Sequence, residues 1–550
     1  MTILDWLIVL IVNGSIIAYG LYLARKTHTS SEWFLAARSL PWWAVGLSMF
    51  ATNVDNADLV GVSGMTYNEG VHVLSVYAIG SALGGILAAF LIVPEMSRRG
   101  IYTNAEYLEA RFGPSTRILS ALIQIQYRSS MLGMMIWSTY LVLTQLVDIS
   151  PAAAWSLIVF LVLLAGLYTA WGGLGSVVWT DCAQGLVMMA AGLAIFAAVW
   201  DAAGGWSGLE ATLSAIPTAD GGTKADLLHI GRYQGDHGVI APLVIVLGWT
   251  IIGSGYWTVN HTQTMRLMGS RSITDMKYAA VFGVGLSLPI MMISACLGVF
   301  GHGIADLPEM GSADELYPLL ANRVLGPGMK GLVVAGVVAA VVSTFDSMGS
   351  ALSAIFTRDV YARLIAPDKP DAHYVLVSRI ATAGVLMLGF AYLPFIWMQD
   401  HMLKAFTTLI PVFVTPLFTI YLAGVLTRSH RRSGIIGLLC GSAYGVIALV
   451  DRQLLEPAGI EGLPVWFTER WVALPWSIVF TVVPMVITTL ILGREDVAQD
   501  EQWTEQGWLQ RSREELPPFP EEDRNSRIGT NLAAAALMLV SCWVVFVWFW

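Results

Sequence analysis

The sequence predicts an all-α integral membrane protein with about fourteen transmembrane helices, and three observations lead to this fold class. Hydrophobic residues make up 56% of the 550 residues, against about 45–50% in soluble domains. Charged residues make up only 13%, against about 25% in soluble domains. The apolar residues also gather in runs of about 20, the length that a helix needs to cross the hydrocarbon core. A chain with so few charges cannot cover a water-facing surface.

The apolar runs follow one another along the whole chain, with boundaries good to a few residues. We expect spans at 4–23, 41–64, 70–94, 118–146, 151–171, 176–203, 238–259, 277–303, 331–357, 375–397, 402–426, 433–450, 473–493 and 528–549. Arg25 and Lys26 follow the first run, whereas a cleavable signal peptide carries its positive charges before its apolar segment. The first run is therefore predicted to be a retained helix with its N-terminus outside.

The basic residues support this order of spans. Most of the 30 Lys and Arg residues, Arg266 among them, fall in connections expected on the cytoplasmic side. Both termini are then extracytoplasmic, and we expect a plasma (inner) membrane location. The longest connections are 204–237 outside and 494–527 inside; the second is acidic and Pro-rich near its end, as a solvated linker would be. No connection can house a separate catalytic domain, so the function must be built inside one membrane domain.

The composition also excludes several classes of protein. A soluble enzyme and a disordered scaffold do not fit this apolar content, and 30 basic against 39 acidic residues leave no net positive field for a nucleic acid. The expected partners are a small solute and membrane lipid, and we expect the chain to act as a monomer. The four cysteines lie far apart in apolar runs, which argues against a disulfide framework or a metal cluster: Cys182, Cys296, Cys440 and Cys542.

The span 41–64 carries polar residues at mid-depth, namely Asn53, Asp55, Asn56 and Asp58. Each Asp would cost roughly 2.5–3.5 kcal/mol if it faced lipid. A helix that is interrupted here and lines a polar cavity avoids that cost. The alternative is two helices joined by a short loop, but each half would be only about ten residues and too short to span.

A second candidate break lies at 248–257, where three glycines occur within eight residues. Each glycine weakens a helix by roughly 1 kcal/mol, although glycine in membrane helices also often marks close packing. The two candidate breaks open two five-helix blocks, 41–203 and 238–426, with 4–23, 433–493 and 528–549 as additional peripheral helices. Because five is odd, the second block enters the membrane inverted. Inverted blocks that each begin with a broken helix are typical of alternating-access secondary transporters.

The span 331–357 places a carboxylate and hydroxyls on a single helix face, at Ser343, Asp346, Ser347 and Ser350. Buried hydroxyls often only bond to their own backbone or pack against a neighbour. A hard cation such as Na⁺ prefers oxygen ligands, so this face is also a candidate cation site.

The order and spacing of several motifs resemble those of the sodium/solute symporter family, which includes the sodium/glucose cotransporters. These motifs are FLAARSLPWW at 34–43 leading into ATNV at 51–54, EYLEARFG at 106–113, GGLGSVVWTDCAQG at 172–185, and Ser343-Thr344 followed by FTRDVY at 356–361. The resemblance covers most of the chain. It implies a leucine-transporter-type fold with a five-plus-five inverted repeat, in agreement with the blocks above.

The resemblance also implies positions for sodium. The main site would use the backbone carbonyls of Ala51, Val54 and Ala340 and the hydroxyls of Ser343 and Thr344. Some members hold a second Na⁺, for which the matching residues here are Asp181, Ser343, Asp346 and Ser347. Asp346 stands where those members have a hydroxyl. Two carboxylates would favour a bound cation, and without one they would repel each other.

The implied substrate site departs further from the family pattern. Asn53 matches a substrate-proximal Asn of the sugar transporters, and Tyr256 matches the aromatic gate beneath the sugar. Tyr77, however, stands where a bacterial sugar-carrying member has a Glu, and Asp58 replaces a Gln. Arg128 lies inside a span, where it either pairs with Asp55 or Asp58 or meets the substrate. A sugar, a polyol or another small polar solute remains the expectation.

The sequence therefore predicts a secondary active transporter, not an enzyme, that couples inward Na⁺ movement to the uptake of a small polar organic solute. A rival within transport is a proton-coupled carrier that relays its proton through Asp181 and Asp346. A polytopic membrane enzyme is the rival from another class, and it lacks support because no HExxH pair or Gly-rich phosphate loop occurs.

Overall fold

The computed structural model describes residues 1–24, 33, 35–98, 100–218, 221–233, 238–399, 401–494, 520 and 522–550. Within these residues we number the helices in chain order. The first are α1 (Ile3–Ala24), α2 (Trp42–Asn53), α3 (Asn56–Glu69), α4 (Val71–Arg98), α5 (Asn104–Phe112), α6 (Pro114–Leu141), α7 (Pro151–Ala202) and α8 (Gly205–Ala215). The next are α9 (Ala241–Val259), α10 (His261–Met268), α11 (Ile273–Phe300), α12 (Leu316–Val324), α13 (Met329–Ile355), α14 (Asp371–Met387) and α15 (Leu393–Trp397). The last are α16 (Met402–Leu426), α17 (Ser433–Val450), α18 (Val465–Thr468), α19 (Ala473–Leu492) and α20 (Arg524–Trp543).

The helices agree with the predicted spans. Among the described residues, 11 helices are long and apolar enough to cross a membrane. The other predicted spans, 41–64, 118–146 and 151–171, are also helical: they correspond to the α2–α3 pair, to α6 and to the first part of α7. The prediction of an all-helical membrane fold is confirmed.

The helix α7 joins two predicted spans, and it bends where they meet. Gly173 adopts φ 60° and ψ −169° inside this helix. A Cβ atom at Gly173 would lie 2.8 Å from both the Cα and the carbonyl oxygen of Trp33. Only glycine tolerates both the positive φ and this close backbone approach. The Gly-Gly sequence thus marks a sharp bend between two membrane helices.

The predicted interruption of the second span is confirmed. The helix α2 ends at Asn53, Val54 and Asp55 have extended backbone, and α3 begins at Asn56. The Asp58 amide donates to Asp55 Oδ1 at 3.0 Å, and the Asp55 amide donates to Asp58 Oδ2 at 3.3 Å. This reciprocal capping box satisfies amides at the start of α3 inside the protein. Both carboxylates therefore have a structural role.

The second interruption exists, but its predicted position was wrong. The glycine stretch 248–257 is helical within α9, and the chain leaves the helix at Asn260, with φ −68° and ψ 105°. The Asn260 side chain accepts a hydrogen bond from the Thr262 amide at 3.0 Å, which caps α10. The glycines instead allow close packing, because a Cβ at Gly253 would lie 2.6 Å from the Gly80 carbonyl carbon. The alternative explanation of these glycines, close helix packing, holds here.

The helices differ strongly in how deeply they are enclosed. In α13 the apolar window of the span is 89% buried, whereas the corresponding figure is 22% for both α1 and α19 and 28% for α20. The helix α13 packs along α7, and α11 packs against both α2 and α3. The two broken helices and α13 therefore lie inside the bundle. The division into repeats at 41–203 and 238–426 stays a prediction.

The connection at 204–237, which the sequence predicts to lie outside, is folded in its described part. It contains α8 and two 3₁₀ turns, Lys224–Leu228 and Ile230–Arg232. The Ile230 amide donates to the carbonyl of Phe549 at 2.6 Å, so the end of the last membrane helix is joined to this connection. The predicted linker at 494–527 lies largely outside the described residues.

Candidate functional site

The end of α2 and the middle of α13 meet at the first helix break. The Ser343 hydroxyl oxygen lies 3.4 Å from the Ala51 carbonyl oxygen, and the Thr344 hydroxyl donates to the Ala340 carbonyl oxygen at 3.0 Å. All four residues are buried. The extended backbone at Val54 takes its carbonyl out of the helical hydrogen-bond ladder. A hydroxyl oxygen of α13 and a carbonyl oxygen of α2 thus meet at Ser343 and Ala51, and oxygen is the ligand type that a small hard cation requires.

Asp181 of α7 contacts Ser343 at this position. Its Oδ1 accepts a hydrogen bond from the Ser343 hydroxyl at 2.5 Å, and its Oδ2 accepts one from the Ser48 hydroxyl at 2.6 Å. The side chain of Asp181 is fully buried. The carboxylate therefore positions Ser343, one of the predicted sodium ligands.

The cation beside Asp181 is Arg266, whose Nη2 lies 2.8 Å from Asp181 Oδ2 with both side chains fully buried. Its Nε donates to the Ser48 hydroxyl at 2.7 Å and its Nη1 to the Thr262 carbonyl at 2.6 Å. Nη2 also donates to the Ser347 hydroxyl. The sequence interpretation missed this residue, because it assigned Arg266 to a cytoplasmic connection. A helix break at Asn260, followed by a short capped helix, was the feature that could have placed Arg266 inside the protein.

The residues predicted for a second sodium site do lie together. The Ser347 hydroxyl is 3.2 Å from Asp346 Oδ1 and 3.3 Å from the Thr52 hydroxyl. Asp181, Asp346 and Ser347 are all fully buried. Between Asp181 and Ser347, however, stands the guanidinium group of Arg266.

A cavity opens beside the first break. The predicted substrate residues Asn53, Asp58, Tyr77 and Tyr256 all line it. The Tyr77 hydroxyl donates to Asp58 Oδ1 at 2.5 Å. The remaining lining residues, which the sequence interpretation did not place at a substrate site, are mostly apolar or aromatic: Asp55, Ala57, Val73, Val76, Ser81, Met131, Met134, Trp249, Ile252, Gly253, Leu403 and Phe406.

Arg128 lies against the wall of this cavity and is only 2% exposed. Its guanidinium carbon is 5.5 Å from the centre of the Tyr256 ring, and its Nη1 is 2.8 Å from the Met131 sulfur. Across the described residues, the Nε and Nη2 atoms of Arg128 have no hydrogen-bond partner. A direct contact with Asp55 or Asp58, one of the two predicted alternatives, is absent among the described residues, although Arg128 interacts electrostatically with both carboxylates.

A charged cluster lies at the end of α3 and is connected to the cavity wall. Glu69 contacts Arg470 at 2.8 Å and His401 at 3.2 Å, and His72 lies 3.4 Å from the same carboxylate. The indole N–H of Trp249, a lining residue of the cavity, donates to His72 Nδ1 at 3.0 Å. The sequence interpretation did not identify this cluster, because His401 and Arg470 lie more than 300 positions from Glu69 along the chain.

The chain is similar to known proteins over most of its length. A sequence profile described as the sodium:solute symporter family matches residues 33–441. The sodium/glucose cotransporter of Vibrio parahaemolyticus is 28% identical over 522 residues, which cover 90% of this chain and 92% of that protein. The human sodium/myo-inositol cotransporter 2 is 26% identical, with 80% of this chain and 69% of that protein covered.

Solved structures share the fold. A Na⁺-coupled sialic acid symporter, in a substrate-bound outward-open state, has a TM-score of 0.73 at 20% identity and covers 90% of this chain and 99% of that one. A nucleobase-cation-symport-1 family transporter in a closed conformation has a TM-score of 0.52 at 12% identity and covers 86% and 99%. The predicted leucine-transporter-type fold is confirmed.

These findings agree with a membrane bundle that contains interrupted helices. The protein is a multi-pass membrane transporter and not an enzyme. Na⁺ is its coupled ion. The profile match extends over most of the chain, and the chain belongs to the sodium:solute symporter family.

Proposed function

We propose that this protein uses the inward movement of Na⁺ to take up a small polar organic solute, a sugar or polyol in the first instance, by alternating access. The observation that carries the proposal is the meeting of Ser343 and Ala51 across the first helix break, beside the cavity. Relatives named as sodium/glucose and sodium/myo-inositol cotransporters, at 26–28% identity, support this solute class.

In this proposal the main Na⁺ site consists of the carbonyls of Ala51, Val54 and Ala340 and the hydroxyls of Ser343 and Thr344. These oxygens come from α2 and α13, so a bound Na⁺ holds the two helices together. Because α2 also forms part of the cavity, Na⁺ binding orders the solute site. By linkage, the solute then raises the affinity for Na⁺ by the same factor.

The solute is held in the cavity by Asn53, Asp58, Tyr77 and Tyr256, with Arg128 behind them. The side-chain amide nitrogen of Asn53 is buried without a hydrogen-bond partner among the described residues, as are two nitrogens of Arg128. Buried donors of this kind are costly unless a partner reaches them. Hydroxyl or carboxylate oxygens of a solute would satisfy them, and the aromatic and apolar walls would cover its carbon skeleton.

The proton-coupled alternative finds no support in the arrangement around Asp181. Its two oxygens accept hydrogen bonds from Ser48, Ser343 and Arg266. A carboxylate that is paired with an arginine and serves only as an acceptor is poorly suited to relay a proton to Asp346. We further propose that the chain works as a monomer in the plasma (inner) membrane with both termini outside.

The first experiment needs no knowledge of the solute. The thermal stability of the purified protein is measured against increasing NaCl, with KCl holding the ionic strength constant, for wild type, Ser343→Ala and Ser353→Ala. Ser353 is a matched control because it is buried in the same helix and its hydroxyl bonds only to the Ser350 carbonyl in the described structure.

The proposal predicts a saturable, Na⁺-specific stabilisation of wild type and Ser353→Ala that is absent from Ser343→Ala. At a Na⁺ concentration of 100 times Kd the stabilisation is about 2.7 kcal/mol. An equal response to Na⁺ and K⁺ in the wild type would refute the Na⁺ site. The uptake of labelled glucose, galactose and myo-inositol into proteoliposomes, with and without an inward Na⁺ gradient, then tests the solute class.

A further inference from the structure

Arg266 connects four helices at one buried point. It lies on α10, and its guanidinium group contacts Ser48 of α2, Asp181 of α7 and Ser347 of α13. Arg266, Asp181, Ser48 and Ser347 are fully buried. The group therefore links the first broken helix, the second broken helix and the central helix α13, which is what a bound metal ion does in a site shared between helices.

Two of the oxygen atoms that a second Na⁺ would need, Asp181 Oδ2 and the Ser347 hydroxyl oxygen, already bind this guanidinium. Asp181 Oδ2 accepts from Arg266 and Ser48, Asp181 Oδ1 accepts from Ser343, and the Ser347 hydroxyl accepts from Arg266. A Na⁺ among the same oxygens would lie within a few Å of a fixed positive charge in a low-dielectric interior, where like charges repel strongly. Arginine keeps its charge in proteins, so deprotonation does not relieve the repulsion.

We propose that Arg266 is the resident cation of this second position, and that the protein therefore binds a single Na⁺ per transport cycle. The inference rests on the proposed Na⁺-coupled function and specifies its stoichiometry. Arg266 acts as a positioning residue: it holds Asp181, which in turn holds the Ser343 hydroxyl of the main site. The guanidinium remains with the protein throughout the cycle, whereas a second Na⁺ would be released with the solute.

The test is the number of Na⁺ ions bound per chain, measured with ²²Na⁺ at equilibrium on the purified protein without solute. The expected number is about one for wild type and about zero for Ser343→Ala. Ser347→Ala retains about one, because Ser347 binds the guanidinium and not Na⁺. Arg266→Gln gains a second ion at the position that the charge has left, and Arg266→Lys, which keeps the charge, stays at about one.

Two bound Na⁺ ions in the wild type would overturn the inference and leave the proposed function standing. A loss of Na⁺ from Ser347→Ala would also overturn it, as would a folded Arg266→Gln that binds one ion only. A wild type that binds no Na⁺ would instead overturn the proposed function itself. The wild type and Ser347→Ala carry the test on their own where Arg266→Gln fails to fold.

Discussion

Replacing Arg117 by Met tests whether a buried arginine holds together α5, the start of α6 and the segment Phe356–Ile365 that follows α13. Arg117 Nη1 lies 2.5 Å from Glu109 Oε2, and its Nε lies 2.7 Å from Asp359 Oδ1. Its Nη2 donates to the Arg358 carbonyl at 3.1 Å. The side chain of Arg117 is 1% exposed, and that of Asp359 is fully buried. Methionine has a similar length but removes the charge and all of these donors.

The expected loss follows from the burial of the partners. Breaking a buried ion pair by removing one member costs about 3–5 kcal/mol, because the remaining charge stays buried without compensation. Arg363→Met is the matched control: Arg363 Nη2 contacts the same Glu109 at 2.8 Å, but its side chain is 41% exposed. A pair that water screens in this way contributes about 0–1 kcal/mol.

The free energy of unfolding is measured for wild type and both variants in mixed detergent micelles, with tryptophan fluorescence and circular dichroism as probes. We expect the Arg117→Met loss to exceed the Arg363→Met loss by roughly 3 kcal/mol. Asp359→Asn in the Arg117→Met background should restore part of the stability, since it removes one uncompensated charge. Equal losses in the two single variants would refute the reasoning from burial.

Three further predictions concern packing, capping and pH. Gly298→Ala should lower the unfolding free energy by about 1–3 kcal/mol, because the new Cβ would lie 2.2 Å from the Ser63 carbonyl oxygen, whereas Gly285→Ala, with nothing within 4 Å, should be nearly neutral in the same assay. Asp5→Ala should lower the apparent Tm and Asp5→Asn should largely retain it, because Asp5 Oδ1 accepts from the Gly328 and Gly331 amides at 2.7 and 2.8 Å. Burial raises the pKa of Asp314 from 3.8 to about 6. The folded protein therefore binds this proton more tightly than the unfolded chain, and its contribution to stability, full below about pH 4, is lost as the pH rises through about 6. Asp314→Asn should flatten that part of the pH–Tm profile.

The sequence was most informative where polar side chains occur within a segment that is otherwise apolar enough to cross the membrane. Polar residues at Asn53 to Asp58 interrupt an apolar run, and the interruption in the structure occurs at Val54 and Asp55. The glycine stretch in α9 was less informative, because the same residues serve helix breaks and close helix contacts. The contact with Gly80 decides between these roles, and it joins residues more than 150 positions apart.

The site was predictable only in part. The hydroxyl face of α13 was visible from its spacing, and the resemblance added Ala51 and Val54, but the contact of Ser343 with Ala51 is a property of the folded chain. Arg266 was missed because the positive-inside rule assigns basic residues near span ends to loops. Once the break at Asn260 is recognised, the residues after it form a short helix inside the bundle. An arginine on that helix is buried, and it therefore needs a buried carboxylate as its partner.

The guanidinium of Arg266 also bears on how steep a solute gradient the protein can build. At about 100 mV, inside negative, an entering Na⁺ releases about 2.3 kcal/mol, and a tenfold concentration gradient adds about 1.4. With one Na⁺ per cycle, a neutral solute reaches an accumulation ratio on the order of 500, whereas two ions would square that ratio. Compared with a carrier that moves two Na⁺ ions per cycle, a one-Na⁺ carrier obliges the cell to expel fewer Na⁺ ions for each solute molecule gained. Its net uptake also stops at a higher external solute concentration.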